Sequence, residues 1–166
     1  MLKKKIKLYY KKSVREFFKL IYGKVLLPKK HTKLPIQTSV LNNIKFKTFS
    51  GKKYKFYSIN KARIYTDNNE NVAIIKNNLI VSKASFQQLN GFLKKEKFNS
   101  TIYYGTPSFL KKFHGTVLNL TQGGSSNNYF HFIFDIVSKI ILTKANFKNF
   151  KKIDFFYFSN LKKWQI

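Results

Sequence analysis

Apolar side chains recur every three or four residues over the first 27 positions, the spacing of one face of an α-helix. The stripe consists of Leu2, Ile6, Tyr10, Val14, Phe17, Ile21 and Val25. Most of the remaining positions up to Lys19 are basic. The pattern predicts a basic amphipathic helix within residues 1–30, ended by Pro28. Such a helix packs on a domain, forms a poorly ordered terminus or lies on a membrane surface, and the pattern alone leaves these open.

Residues 29–35 are typical of a linker, and residues 36–82 carry the signals of short strands. The candidate strands are residues 44–49, 54–57, 62–65, 72–76 and 79–82. Asn77 and Asn78 separate the last two, and both can adopt the positive φ of a tight hairpin turn. Residues 67–70 are predicted to form a plain turn. We expect residues 36–82 to be a β-rich appendage.

Residues 83–166 mix helical and strand signals. Ser82 is a candidate cap for a helix running through Phe86, Leu89, Phe92 and Leu93, and residues 101–104 are predicted to be a strand. A strand at 116–120, a helix at 127–142 and a strand at 153–158 then follow the order of a βαβ unit with parallel strands. The last run is continuously apolar, which is typical of a strand buried on both faces. One such unit cannot cover its own sheet, so we expect the front part of a larger α/β protein.

The clearest candidate chemistry lies in and after the loop that precedes the helix. Gly123 and Gly124 allow close approach of a ligand to the backbone, and the first helical turn offers unpaired amides. The alternative is a simple glycine-rich turn with Ser126 or Asn127 as the helix N-cap. The loop does not have the glycine spacing of a dinucleotide site or the lysine of a phosphate loop.

His131 and Asp135 are four residues apart, so they share one face of the predicted helix. A carboxylate that orients an imidazole makes a workable general base. Because the surrounding residues are apolar, we expect this pair to be buried or to lie at a cleft. A structural pair with no role in chemistry is the alternative.

The composition disfavours nucleic-acid recognition and excludes a disulfide framework or a thiolate metal site. The chain has a formal net charge of +27 but only two arginines, Arg15 and Arg63, whereas nucleic-acid recognition favours the planar guanidinium. It contains no cysteine, and its three histidines and six carboxylates are too scattered for a metal site. No stretch of about 20 apolar residues predicts a membrane span. We therefore expect a cytoplasmic protein, with a peripheral position at an inner membrane face if residues 1–27 bind anionic lipid.

At Asn128, Tyr129, His131, Asp135 and Lys139 the chain resembles glycosyltransferase family 61, whose bacterial members are often described as capsular polysaccharide biosynthesis proteins. The family pattern is approximately Asn-Tyr-x-His-Trp-x-x-Asp/Glu followed by a basic residue, after a strand and a glycine-rich loop. Residues 60–63 and 78–81 also resemble the family's amino-terminal region. Three positions depart from the family pattern, where tryptophan, proline and arginine are common: Phe132, Ser138 and Lys139.

The resemblance implies that residues 31–166 belong to a Rossmann-like domain, the amino-terminal half of a two-domain GT-B fold. It implies transfer of a hexosyl, pentosyl or N-acetylhexosaminyl group from a nucleotide-sugar donor to a glycan acceptor, with inversion and without a cofactor or an obligatory metal. His131 or Asp135 would be the catalytic base, and the substrate-binding residues would be Gly123, Gly124, Asn128, Tyr129 and Lys139.

The family's donor site lies mainly in a carboxyl-terminal domain absent from these 166 residues. We therefore expect little activity from the chain alone. The competing hypothesis is a basic module that binds nucleic acid or a membrane surface.

Overall fold

The structure is a computed structural model that describes residues 2–27, 37–40, 55–67, 70–89, 92–94, 99–121, 128–147, 150–158 and 162–165. The predicted linker at 29–35 and the predicted strand at 44–49 lie outside these residues. Among the described residues, no helix is both long enough and apolar enough to cross a membrane.

The amino-terminal helix α1 spans Leu2–Tyr22, which confirms the helix that the apolar spacing predicted. It ends at Gly23, whose φ is 80°. This left-handed conformation favours glycine. The one buried side chain in the described part of the helix is Phe18, whose ring lies 5.1 Å from that of Phe109. Phe18 is not part of the predicted apolar stripe. Of the stripe, Phe17 reaches the same ring, at 6.4 Å from Phe109, so the helix packs through the margin of the stripe rather than through its centre.

Five strands follow, all paired in antiparallel fashion. Strands β1 (Gln37–Val40) and β2 (Lys55–Ser58) form one pair. Strands β3 (Arg63–Thr66), β4 (Val72–Lys76) and β5 (Leu79–Ile80) form a three-stranded sheet in that order. The predicted strands at 54–57, 62–65, 72–76 and 79–82 are thereby confirmed, whereas β1 was not predicted.

The turn between β4 and β5 has the predicted chemistry. Asn77 and Asn78 have φ values of 50° and 58°. Asparagine tolerates this conformation better than most residues. The turn at 67–70 closes with a hydrogen bond from the Glu70 N–H to the Asp67 carbonyl at 2.9 Å.

The principal apolar cluster lies on this three-stranded sheet. Val72, Ile74 and Val81 are buried together, and partly buried side chains pack around them: Ile59, Ala62, Ile64, Ala84 and Phe86. Alternate residues of β4 point to the same face, which is why Val72 and Ile74 meet the same neighbours. The segment expected to be an appendage therefore contains a hydrophobic core.

Two predictions for the following segment are wrong. Residues expected to form a helix after Ser82 instead form an antiparallel pair, β6 (Gln87–Leu89) and β7 (Phe92–Lys94). The sequence between them, Asn-Gly, favours a two-residue hairpin, and this signal outweighs the apolar spacing. The predicted strand at 101–104 is instead the short helix α2 (Ser100–Tyr104). The Asn99 side chain caps it by accepting from the Thr101 N–H at 3.0 Å.

The carboxyl-terminal part confirms a mixed α/β fold. Strands β8 (Val117–Asn119) and β9 (Phe155–Tyr157) pair in parallel, as predicted for the strands at 116–120 and 153–158. Between them run α3 (Tyr129–His131), a π-helical segment (Phe132–Val137) and α4 (Ser138–Asn146), here together called the central helix. Short 3₁₀ turns lie at Phe150–Lys152 and Lys163–Gln165.

The expected burial of the last strand is wrong. Phe155 and Phe156 in β9 are 40% and 45% exposed, so this strand is not covered on both faces by the described residues. An apolar run predicts a strand from its side chains, but its burial depends on what packs against the two-stranded sheet.

Candidate functional site

The candidate site begins at the carboxyl end of β8. Leu120 and Thr121 are buried there, and the Leu120 N–H donates to the Tyr157 carbonyl at 3.0 Å, which extends the pairing with β9. The loop that follows, residues 122–127, lies outside the described residues. The roles expected for Gly123 and Gly124 therefore stay predictions.

Asn128 is the N-cap of the central helix. Its backbone is extended, with φ −131° and ψ 119°, and its side-chain oxygen accepts from the His131 N–H at 3.3 Å. The helix thus begins one or two residues later than a cap at Ser126 or Asn127 would have required. Since the Asn128 oxygen serves the cap, its amide N–H₂ group is the part left to contact a ligand.

His131 and Asp135 are brought together as the spacing predicted. The His131 Nδ1 lies 2.9 Å from the Asp135 Oδ2. The pair was expected to be buried or to lie at a cleft. It is not buried, because the side chains are 50% and 28% exposed, and its position at a cleft stays a prediction. The apolar neighbours in the sequence therefore do not enclose the pair.

The pair lies on a π-helical segment, which the sequence did not predict. The Ser138 N–H donates to the carbonyl of Ile133, five residues earlier, rather than four as in an α-helix. Asp135 lies within this segment and His131 immediately precedes it. Single π turns within α-helices are uncommon and occur frequently at functional sites.

Lys139 follows Asp135 by four residues on the central helix. It is partly buried, and its Nζ lies 6.0 Å from the centre of the Phe86 ring, within reach of a cation–π interaction. Burial lowers the pKa of Lys139 to about 8, and the negative charge of Asp135 partly opposes that shift. Its predicted contact with substrate stays a prediction.

Two phenylalanine rings flank the polar pair. Phe130 and Phe134 stack at 5.5 Å between centroids with an interplanar angle of 18°, and they are 69% and 66% exposed. The neighbouring Tyr129 is also exposed. Ile136, on another side of the helix, is fully buried. This aromatic surface was not predicted from the sequence, although the i, i+4 spacing of Phe130 and Phe134 could have indicated it.

The described residues contain no group of three or more His, Cys, Asp or Glu side chains that could hold a metal ion. The chemistry that the site can provide is proton transfer by His131, orientation by Asp135 and contact with apolar ligand faces by the aromatic rings.

Comparison of the chain with protein-family models, with curated proteins and with solved structures found no match. Function therefore has to be inferred from the residues themselves.

Proposed function

We propose that the chain is part of a glycosyltransferase and forms the side of the active site that binds the acceptor. The enzyme transfers a sugar from a nucleotide-sugar donor to a glycan acceptor at the cytoplasmic side of a membrane. The observation that carries the proposal is the 2.9 Å contact between His131 Nδ1 and Asp135 Oδ2. It lies on the helix that follows β8, where ligands bind in open α/β sheets.

In the proposed reaction His131 is the general base and Asp135 orients it. The Nδ1–H donates to the Asp135 carboxylate, which makes Nε2 the nitrogen that accepts a proton. The acceptor hydroxyl loses its proton to Nε2 as its oxygen attacks the anomeric carbon of the donor. The bond from that carbon to the nucleotide phosphate breaks, and the phosphate leaves with the electron pair. Asp135 stabilises the imidazolium that forms.

Both side chains of the pair are partly exposed to solvent. A hydrogen-bonded pair in contact with solvent contributes about 0–1 kcal/mol to stability, so folding gains little from these two residues. The stacked Phe130 and Phe134 rings on the same helix offer a flat apolar surface that can bind the C–H face of a sugar ring.

The test is a transfer assay with labelled UDP-, GDP- and CMP-sugars and a panel of oligosaccharide acceptors. In glycosyltransferase family 61, which the chain resembles, the donor site lies mainly in a carboxyl-terminal domain. The assay therefore uses both the purified chain and the product of the longest open reading frame that contains it. We expect transfer by the product of that reading frame. Absence of transfer from every donor in both proteins contradicts the proposal.

Variants of the product of that reading frame test the roles of His131 and Asp135. His131→Ala should lower kcat by about 10²–10⁴-fold, because the acceptor hydroxyl loses its base. Asp135→Asn should lower kcat less and shift the pH profile, since the base is present but poorly oriented. His114→Ala, an exposed histidine outside the site, is the matched control and should have normal activity. Full activity of His131→Ala contradicts the proposed mechanism.

The second candidate function, nucleic-acid binding, is favoured by the net charge of +27. Both arginines, however, are engaged within the chain. Arg15 donates to the Lys11 carbonyl at 3.2 Å, and Arg63 donates to the Tyr22 carbonyl at 3.0 Å. Measurement of RNA affinity against salt concentration separates the two functions, because phosphate contacts by lysine give a steep salt dependence.

A further inference from the structure

One side of helix α1 exposes a continuous apolar surface. At about 100° per residue its members occupy an arc of about 120°. They are Ile6, Tyr9, Tyr10, Phe17, Leu20 and Ile21, here called the apolar face. Leu20 is 87% exposed and Ile6 is 59% exposed, so the described part of the chain leaves much of this surface uncovered. Folded monomers rarely leave large contiguous apolar patches exposed without a binding role.

The helix is held in place by a different edge. Phe18 packs on Phe109, and the Tyr22 hydroxyl accepts a hydrogen bond from the Leu110 N–H at 3.1 Å. Arg15 also donates to the Tyr103 carbonyl. These contacts fix the rotation of the helix about its axis. Phe17 lies at the edge of the apolar face and its ring also reaches that of Phe109, at 6.4 Å between centroids, while Leu20 and Ile6 are left exposed.

Basic residues border the apolar face on both sides. In the helical projection Lys7 lies along one border, and Lys5 and Lys12 lie along the other, next to Glu16. The only acidic residue of the helix is Glu16, which pairs with Lys19 at 2.5 Å. A ligand that meets the apolar face therefore also meets the exposed lysines Lys5, Lys7 and Lys12 at its borders.

We propose that α1 binds the surface of an anionic lipid bilayer, with its axis in the plane of the membrane and its apolar face inserted at the level of the acyl-chain boundary. Aliphatic and aromatic side chains on one side and lysines along the borders are the features of interfacial helices. Tyr9 and Tyr10 combine an apolar ring with a polar hydroxyl, which suits this depth. The inference goes beyond the proposed sugar transfer and does not depend on it.

Charge favours an anionic bilayer over a second copy of the chain or a nucleic acid as the partner of the apolar face. A second copy of the chain would bring another net charge of +27 against the same basic borders, and the repulsion opposes association. A nucleic acid would neutralise the lysines but would leave Leu20 and Ile6 in water. An anionic bilayer can bind the apolar face with its acyl chains and the bordering lysines with its charged headgroups.

The test is flotation of the full chain with vesicles of phosphatidylcholine alone and of phosphatidylcholine with phosphatidylglycerol. We expect binding to the anionic vesicles that weakens at high salt. Ile6→Gln/Leu20→Gln should lower the partition coefficient by about tenfold or more, because two apolar side chains no longer leave water. Lys7→Gln/Lys12→Gln should lower it by about fivefold for each lysine removed.

The matched control is Tyr104→Gln/Ile141→Gln, which replaces two exposed apolar residues outside α1 and should bind as the unmodified chain does. Circular dichroism checks that all variants fold. Failure of the unmodified chain to float, or undiminished flotation of Ile6→Gln/Leu20→Gln, overturns the proposal. A dimer in sedimentation velocity that this double substitution dissociates, without vesicle binding, identifies a second copy as the occupant and also overturns it.

Discussion

The Asn99 side chain joins helix α2 to the core sheet by a buried hydrogen bond to Val72. Its Nδ2 donates to the Val72 carbonyl at 2.8 Å, and Asn99 is only 1% exposed. The same amide contributes its oxygen to the cap of α2 and a second donor contact to the Phe86 carbonyl at 3.2 Å. One side chain thus satisfies three backbone groups from three parts of the chain.

We expect Asn99→Ala to lower the free energy of unfolding by about 2–4 kcal/mol. The substitution removes an N-cap, which contributes about 1 kcal/mol. It also removes the side-chain donor to the Val72 and Phe86 carbonyls, which keep only the backbone hydrogen bonds between these two residues. Urea unfolding followed by far-UV circular dichroism measures the change. Asn60→Ala, in an exposed turn, is the matched control, and an equal loss there would contradict the role of Asn99.

The core cluster and the apolar face of α1 should respond differently to the same kind of substitution. Ile74 is 6% exposed, whereas Ile6 is 59% exposed. Ile74→Ala should cost about 2–5 kcal/mol because its removal leaves a cavity. Ile6→Ala, a change at the surface, should alter stability by only about 0.5 kcal/mol. Thermal unfolding of both variants measures the contrast, and a large loss for Ile6→Ala would mean that the apolar face is part of the folded core.

Gly115 is required where the chain enters β8. Its φ is 148°, and an added Cβ would lie 2.5 Å from the Asp154 Oδ2, the atom that accepts from the Thr116 N–H at 2.6 Å. Gly115→Ala should therefore destabilise the chain by about 1–3 kcal/mol. Chemical denaturation measures this. Thr116→Ala, which keeps the backbone N–H, should be nearly neutral, and equal losses in the two variants would argue against a steric cause.

The depressed pKa of Lys139 predicts a pH dependence of stability. Because the folded chain holds this proton less tightly than the unfolded chain, stability should rise as the pH increases from about 8 to about 10.5. Lys139→Met should raise stability at about pH 7, by no more than about 3 kcal/mol, and should abolish this contribution to the rise. The difference in unfolding free energy between the two proteins, measured across this pH range, isolates Lys139. Lys144→Met, at an exposed position of the same helix, should leave the pH profile unchanged.

The sequence predicted elements best where a local signal agreed with the final pairing. The asparagine pair at 77–78 and the short apolar runs on either side of it indicated β4 and β5 because both signals act within a few residues. The segment from Ser82 to Tyr104 was predicted wrongly because its apolar spacing fits both a helix and a hairpin. Pairing of Gln87 with Lys94 and capping by Asn99 select the observed structure.

The candidate site was likewise predicted only where the signal is local. The four-residue spacing of His131 and Asp135 sufficed to predict their contact, since neighbours on one helical face meet whatever surrounds the helix. Their exposure, the π-helical turn and the burial of Lys139 against Phe86 depend on residues far apart in the chain.

By itself, the sequence determined the helix at the amino terminus, the parallel strands around the central helix and the pairing of His131 with Asp135, because each follows from periodicity or short-range spacing. Only the tertiary structure decided which side of each helix is covered. Burial is set by long-range packing, so Phe18 is enclosed and Leu20 is exposed although both are apolar and lie two residues apart.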